Sequence, residues 1–192
     1  MITPITRESV KKIQKHRYFD EHNSNLLVAE NNKKLNSYIF NCIQKLMVGA
    51  YKHNNMESLI VIDIDNLAYR FSTNNLPTDV YLTPEMENAI LNSGNTFIAM
   101  HNHPNNSTFS MADVLVLINY PNLQTIFMCT NDCNFIEVLD KGNRYYKFTV
   151  RVVIKILNSL VSKNIINKHS DAKYFIKYLK ANGFKHDKYF NN

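Results

Sequence analysis

Two histidines, two serines and an aspartate crowd into the thirteen-residue stretch His101-Asn102-His103-Pro104-Asn105-Asn106-Ser107-Thr108-Phe109-Ser110-Met111-Ala112-Asp113. The histidines stand at i and i+2, at the end of an apolar, strand-like run, Thr96–His101. Side chains alternate faces along a strand, so both imidazoles point the same way and form a ready chelate. Pro104 ends the strand and lets the chain turn. Ser110 then opens a helix and returns Asp113 in its first turn, close to the strand end. Ser-x-x-Asp by itself is only a capping box, and one buried histidine is ordinary packing. The combination asks for more. Two nitrogens, one carboxylate and an open fourth position are the ligand count of a catalytic zinc site. Zinc lowers the pKa of a bound water to about 7, and a carboxylate nearby can take up the proton. Cys129 and Cys133 fall on a strand end and a turn, and no metal role is expected of them.

The elements that must hold these residues can be read from periodicity. Helices are predicted over Thr6–Tyr18 and Glu30–Tyr51, the second with Leu35, Ile39, Ile43 and Leu46 at helical spacing and Cys42 inside it as packing. Ser58–Ile64 is a β-branched strand, with Asp65-Asn66 as the turn to a hairpin partner at Leu67–Ser72. A loop follows, with a short strand at Val80–Leu82. Thr83 caps a helix with Pro84 at its first position, and that helix ends near Ser93-Gly94. Helix Ser110–Tyr120, stopped by Pro121, leads to strands Thr125–Thr130 and Phe135–Leu139. Helices at Tyr146–Ser162 and Asp171–Asn182 complete the chain. The order is α-α-β-β-α-β-α-β-β-α-α. It predicts a mixed α/β (α+β) layer domain: a central β-sheet flanked by helices, with helical extensions at both termini. The divisions are residues 1–54 as N-terminal helices packing on the core, 55–140 as the core with the chemistry, and 141–192 as basic C-terminal helices.

At 192 residues the chain is long enough for one domain with a real core. No apolar run is long enough to predict a membrane span, and the N-terminus does not read as a secretory signal. The three cysteines are an odd number without framework spacing, which predicts a reduced, cytoplasmic setting. The net charge of +6 is uneven, because residues 141–192 hold 12 of the 22 Lys/Arg and only 2 of the 16 Asp/Glu. Such a tail can dock nucleic acid, an acidic partner or an anionic surface, or be a solvated helical face.

HNHP followed by SxxD resembles the motif of the JAMM (JAB/MPN+) zinc metalloproteases, and the HNHP tetrapeptide is most similar to their RadC-like branch. The resemblance covers about residues 55–140 and implies a JAB/MPN-like fold. It also implies that His101, His103 and Asp113 ligate Zn2+ and that Ser110 helps stabilise the oxyanion. An upstream glutamate would act as general base. Glu57, just before the first sheet strand, fits the place it has in many eukaryotic members. RadC-like proteins carry it on the second strand, where Leu67–Ser72 offers no acid, and Glu85 and Glu87 lie on the intervening helix. The loop from His103 to Ser110 is one residue shorter than the usual pattern and lacks its glycine.

These features predict a zinc-dependent peptidase or isopeptidase acting on a protein or peptide substrate, such as a ubiquitin-like or other protein tail. Two alternatives stand beside it. One is a RadC-like protein making weak nucleic-acid contact through the basic tail, with Tyr145, Tyr146, Phe148, Tyr174, Phe175 and Tyr178 as stacking surfaces. The other is a non-catalytic JAB interaction module.

Overall fold

Runs rich in β-branched and aromatic residues become strands, and the 3.6-residue repeats become helices. The computed structural model describes residues 2–14, 32–74, 76–77, 79–142, 147–167 and 171–190. In chain order these form α1 (Arg7–Gln14), α2 (Lys33–Lys52), β1 (Ser58–Asp63), β2 (Ala68–Thr73), α3 (Pro84–Asn92) and β3 (Phe97–His103). Then come α4 (Met111–Asn119), β4 (Leu123–Thr130), β5 (Phe135–Asp140), α5 (Lys147–Ser162), α6 (Lys173–Ala181) and β6 (Lys185–Phe190). The ends of the first two predicted helices at residues 15–18 and 30–31, and Tyr145 and Tyr146, lie outside the described residues.

The strands form one six-stranded sheet in the order β2-β1-β3-β4-β5-β6. Every neighbouring pair is antiparallel except β3 and β4, which are parallel. Parallel neighbours need a crossover, and α4 supplies it. β1 and β3 are buried along their whole length, as central strands covered on both faces are. On one face Ile60, Ile62, Ile98 and Met100 pack against Ile39, Ile43 and Leu46 of α2. On the other, Leu59, Val61, Phe97 and Ala99 pack against Met86 and Ile90 of α3, Val114 and Leu117 of α4, and Ile176 and Leu179 of α6. Each fully buried aliphatic side chain contributes about 1.5–3 kcal/mol relative to exposure. The result is the mixed α/β layer arrangement read from the sequence. Among the described residues, no helix is long and apolar enough to cross a membrane. All three cysteines are buried.

Two expectations need correction. The C-terminal extension is not only helical, because Lys185–Phe190 adds β6 to the sheet edge, in register with β5. Its sequence, KHDKYF, carries polar residues on both faces, so no apolar alternation marks it as a strand. Gly142 lets this tail dock close: it has φ +67°, and a Cβ there would collide with the Gly183 carbonyl. Residues Val80–Leu82 form no strand and line the cavities beside the site described below.

The tail's charge is also less available than its count suggests. The Lys141 side chain is buried and donates to the carbonyls of Tyr120 (2.6 Å) and Pro121 (3.3 Å), capping the end of α4. Phe175 and Tyr178 stack on each other and pack against the core, while Tyr174 is 85% exposed.

Candidate metal centre

The site lies where the β3-α4-β4 unit opens, at the carboxyl end of a parallel strand and the N-terminus of the following helix. Open α/β sheets place ligands there because strand ends and orphan helix amides converge. Register does most of the positioning. Leu59 pairs with His101, so continuing that register sets Glu57 opposite His103. Strand parity then puts Glu57, Leu59, His101 and His103 on one face.

The neighbouring residue serves as a clip. Asn102 faces the opposite way and is fully buried. Its Oδ1 accepts the Ser58 amide at 2.8 Å, and its Nδ2 donates to Asn131 Oδ1 at 2.7 Å and to the Met56 carbonyl at 3.3 Å. One side chain thus ties β3 to the start of β1, next to Glu57, and to the β4–β5 turn. Truncating it strands a buried amide and a buried carbonyl oxygen. Asn102→Ala is therefore expected to destabilise the chain by about 2–4 kcal/mol in denaturant unfolding. A loss below about 1 kcal/mol would show that the clip is replaceable.

His101 Nε2 and His103 Nε2 approach to 2.9 Å. His101 Nε2 lies 3.1 Å from one oxygen of Asp113, and His103 Nε2 lies 3.5 Å from the other. Tetrahedral ligands about 2.0–2.1 Å from zinc stand about 3.3–3.4 Å apart, and the His101–His103 and His101–Asp113 Oδ1 separations of 2.9 and 3.1 Å fall a few tenths of an ångström short of that. The carboxylate is oriented by its own helix. Ser110 N and Ser110 Oγ donate to Asp113 Oδ2 at 2.6 and 2.7 Å, leaving Oδ1 for a cation. The second histidine is oriented too: His103 Nδ1 meets the Ser107 carbonyl at 3.1 Å. Donation there fixes the tautomer with the Nε2 lone pair aimed inward, as outer partners of metal ligands do. Two converging imidazole nitrogens need a proton or a cation between them, so the donor set fits a divalent metal.

Glu57 completes the group. Its Oε1 is 4.0 Å from His101 Nε2, and its ligand atom lies within 4.8 Å of those of both histidines. Glu57 could therefore itself join a metal shell. The shorter His–Asp113 separations favour Asp113 as third ligand and leave Glu57 one step out. Burial pushes the Glu57 carboxyl up to about 7, against the opposing pull of His101 and His103, with Asp113 and Asp79 adding to the rise. Burial would raise Asp113 as well, but the two imidazoles override it and hold that carboxyl well below its ordinary value. His103 is raised: burial disfavours its charge, and Asp113 more than compensates.

Two cavities adjoin here. One, about 290 Å³, is lined by Glu57, His103, Ser110 and Asp113, with Asp79–Tyr81 as its far wall. The second, about 230 Å³, is more apolar, with Leu59, Val80, Leu82, Ala99 and Ile126 beside His101 and Glu57. Glu85 and Glu87, the other glutamates considered from sequence, do not join the histidines. Glu85 is exposed on α3, and Glu87 accepts from the Tyr120 hydroxyl at 2.6 Å at the edge of the apolar cavity. Sequence reading missed Asn102, Ser107 and the Asp79–Leu82 wall. Only Asn102 left a signal, as the opposite-parity residue of the His-x-His triplet.

No family model, curated protein or solved structure matches this chain. What the site can do rests on its own geometry.

Proposed function

We propose that the chain is a zinc-dependent hydrolase of peptide or isopeptide bonds, of the JAMM kind that its motif resembles. One observation carries the reading: Nε2 of His101 and Nε2 of His103 lie 2.9 Å apart, and each lies within 3.1–3.5 Å of one oxygen of the Asp113 carboxylate, on a cavity that also holds buried Glu57. His101, His103 and Asp113 would hold the metal. Bound there, zinc would supply Lewis acidity and a water acidified to about pKa 7. The chain's own residues do the rest. Glu57, poised near neutrality in the absence of metal, takes the proton of the attacking water and returns it to the leaving amine. Asp113 keeps its charge through the pull of the histidines. Ser110 holds Asp113, and its hydroxyl turns to the scissile carbonyl oxygen only by releasing that carboxylate. The Asp79–Leu82 wall offers an extended peptide a flank, and the apolar cavity takes a side chain beside the scissile bond. A protein tail, ubiquitin-like or other, fits such an open cleft, and buried thiols accord with a reducing, cytoplasmic setting.

A non-catalytic scaffold has no need of a carboxyl held near pKa 7 beside two convergent imidazoles. The test is to incubate zinc-loaded chain with a diverse peptide pool and identify new termini by mass spectrometry. Cleavage that stops on chelation and returns with zinc is the expected result. Cleavage indifferent to chelation, or none across the pool, overturns the reading.

A further inference from the structure

On the same sheet face as the metal centre, a groove of about 560 Å³ runs between α6 and the β5–β6 edge. Lys173, Lys177 and Lys180 of α6 line it together with Lys188 and His186 of β6. Positions i, i+4 and i+7 share one helix face, with a rise of 1.5 Å per residue, so the three ammonium stems span about 10 Å in a row. The acidic groups in the groove are already occupied. Glu137 meets His186 Nε2 at 2.7 Å through Oε1 and accepts the Phe109 amide at 3.2 Å through Oε2. Asp171 accepts the Lys173 amide at 2.7 Å. The groove therefore sets four lysines against two hydrogen-bonded carboxylates and is net cationic.

Its position relative to the chemistry follows from register. His101 pairs with Met128, Met128 with Glu137, and Glu137 with Lys188. Three strand steps of about 4.8 Å put Lys188 about 14 Å from His101 across the sheet. The two sites share one boundary, the segment Ser107–Ser110: Ser107 and Ser110 line the catalytic cavity, and Thr108 lines the groove. That segment is anchored to α6, because the Ala172 amide donates to the Phe109 carbonyl at 3.0 Å. An extended polypeptide covers 14 Å in about four residues at 3.3–3.6 Å each.

We propose that this groove binds an acidic segment of the protein substrate, about four to six residues to one side of the bond cleaved at the metal centre. The inference rests on the peptide-hydrolase reading above. Acidic side chains at alternate positions of an extended chain repeat at about 6.6–6.8 Å, close to the roughly 6 Å spacing of neighbouring lysines on the α6 row. A single-stranded nucleic acid is the poorer fit. It binds by stacking its bases on open aromatic faces, whereas Phe175 and Tyr178 stack on each other and pack on the core, and exposed Tyr174 is not among the residues that line the groove.

The test separates the groove from the chemistry. Zinc-free chain of all 192 residues is titrated at low salt with a fluorescein-labelled Asp/Glu-rich peptide, its Asn/Gln counterpart and a short oligothymidylate, read by anisotropy. Only the acidic peptide is expected to bind well. Lys177→Glu/Lys180→Glu should weaken it about tenfold or more, while Lys163→Glu, exposed and outside the groove, leaves it unchanged. Both positions are exposed, and Lys177→Gln/Lys180→Gln gives a milder second variant whose weaker loss should follow the same order. Equal binding by the groove variants, or by the neutral peptide, overturns the proposal. So does tighter oligothymidylate binding that the same substitutions remove, which would assign the groove to nucleic acid. With zinc restored, peptides carrying the acidic run at the stated distance should be cut faster. Binding without cleavage by any peptide leaves the acidic ligand class standing and overturns the hydrolase reading instead.

Discussion

Glu57→Gln is expected to retain zinc and fold while peptide hydrolysis falls by about 10²–10⁴-fold. The amide has the shape of the carboxyl but cannot accept and return a proton. It stands 4.0 Å from His101 Nε2, beyond the His–Asp113 separations, so its replacement leaves the three ligands in place. The metal-free protein offers a second readout. The folded-state pKa of Glu57 is raised from 4.5 to about 7, chiefly by burial. A raised pKa contributes stability below the unfolded value, and that stability is lost as pH rises through the folded value. Between pH 4.5 and 7 the unmodified apoprotein should therefore lose up to about 3 kcal/mol relative to Glu57→Gln, which has no charge to bury. Denaturant unfolding at pH 5 and pH 8 measures the difference. Wild-type turnover by the variant would move the base elsewhere. Loss of zinc by the variant would make Glu57 a ligand, the arrangement its 4.8 Å grouping with the two histidines also permits.

His101→Ala/His103→Ala is expected to abolish zinc binding altogether. The wild type should hold about one zinc per chain after loading and gel filtration, and the variant only background. The energetic reading is independent of activity. A ligand at about 1,000 times its dissociation constant stabilises the folded state by about 4 kcal/mol, so zinc should raise the wild-type melting temperature and leave the variant's unmoved. The metal-free variant should also fold, because removing the imidazoles leaves the β1–β3 ladder and the Asn102 clip intact. Equal zinc content or equal thermal shifts in the two proteins would end the metal hypothesis, whatever the activity assays show.

How much of this was legible without coordinates depends on the range over which each feature is encoded. His101 and His103 share a face because strand side chains alternate, and Asp113 returns to them because Ser-x-x-Asp opens a helix. Both facts are local, so spacing along the chain was enough. The same holds for the Thr83-Pro84 helix start and for most of the strands. Placing Glu57 needed one more step, the register of β1 against β3, which no local pattern states. From sequence it was preferred to Glu85 and Glu87 by its place before the first strand, and the Leu59–His101 pairing is what brings it to the histidines.

Other features were decided by tertiary structure alone. KHDKYF becomes a strand because β5 offers it an edge, not because its own pattern asks for one. The basic tail was visible as a count of charges. The fold, however, buries Lys141 under the end of α4 and gathers Lys173, Lys177, Lys180 and Lys188 into a groove on the sheet face that carries His101 and His103. Charge, periodicity and ligand spacing are properties of neighbours in sequence, and the sequence by itself determined them. Which carboxylate meets which imidazole, and which lysines face a common groove, depends on strand order and register, and those emerge only when the two apolar layers pack.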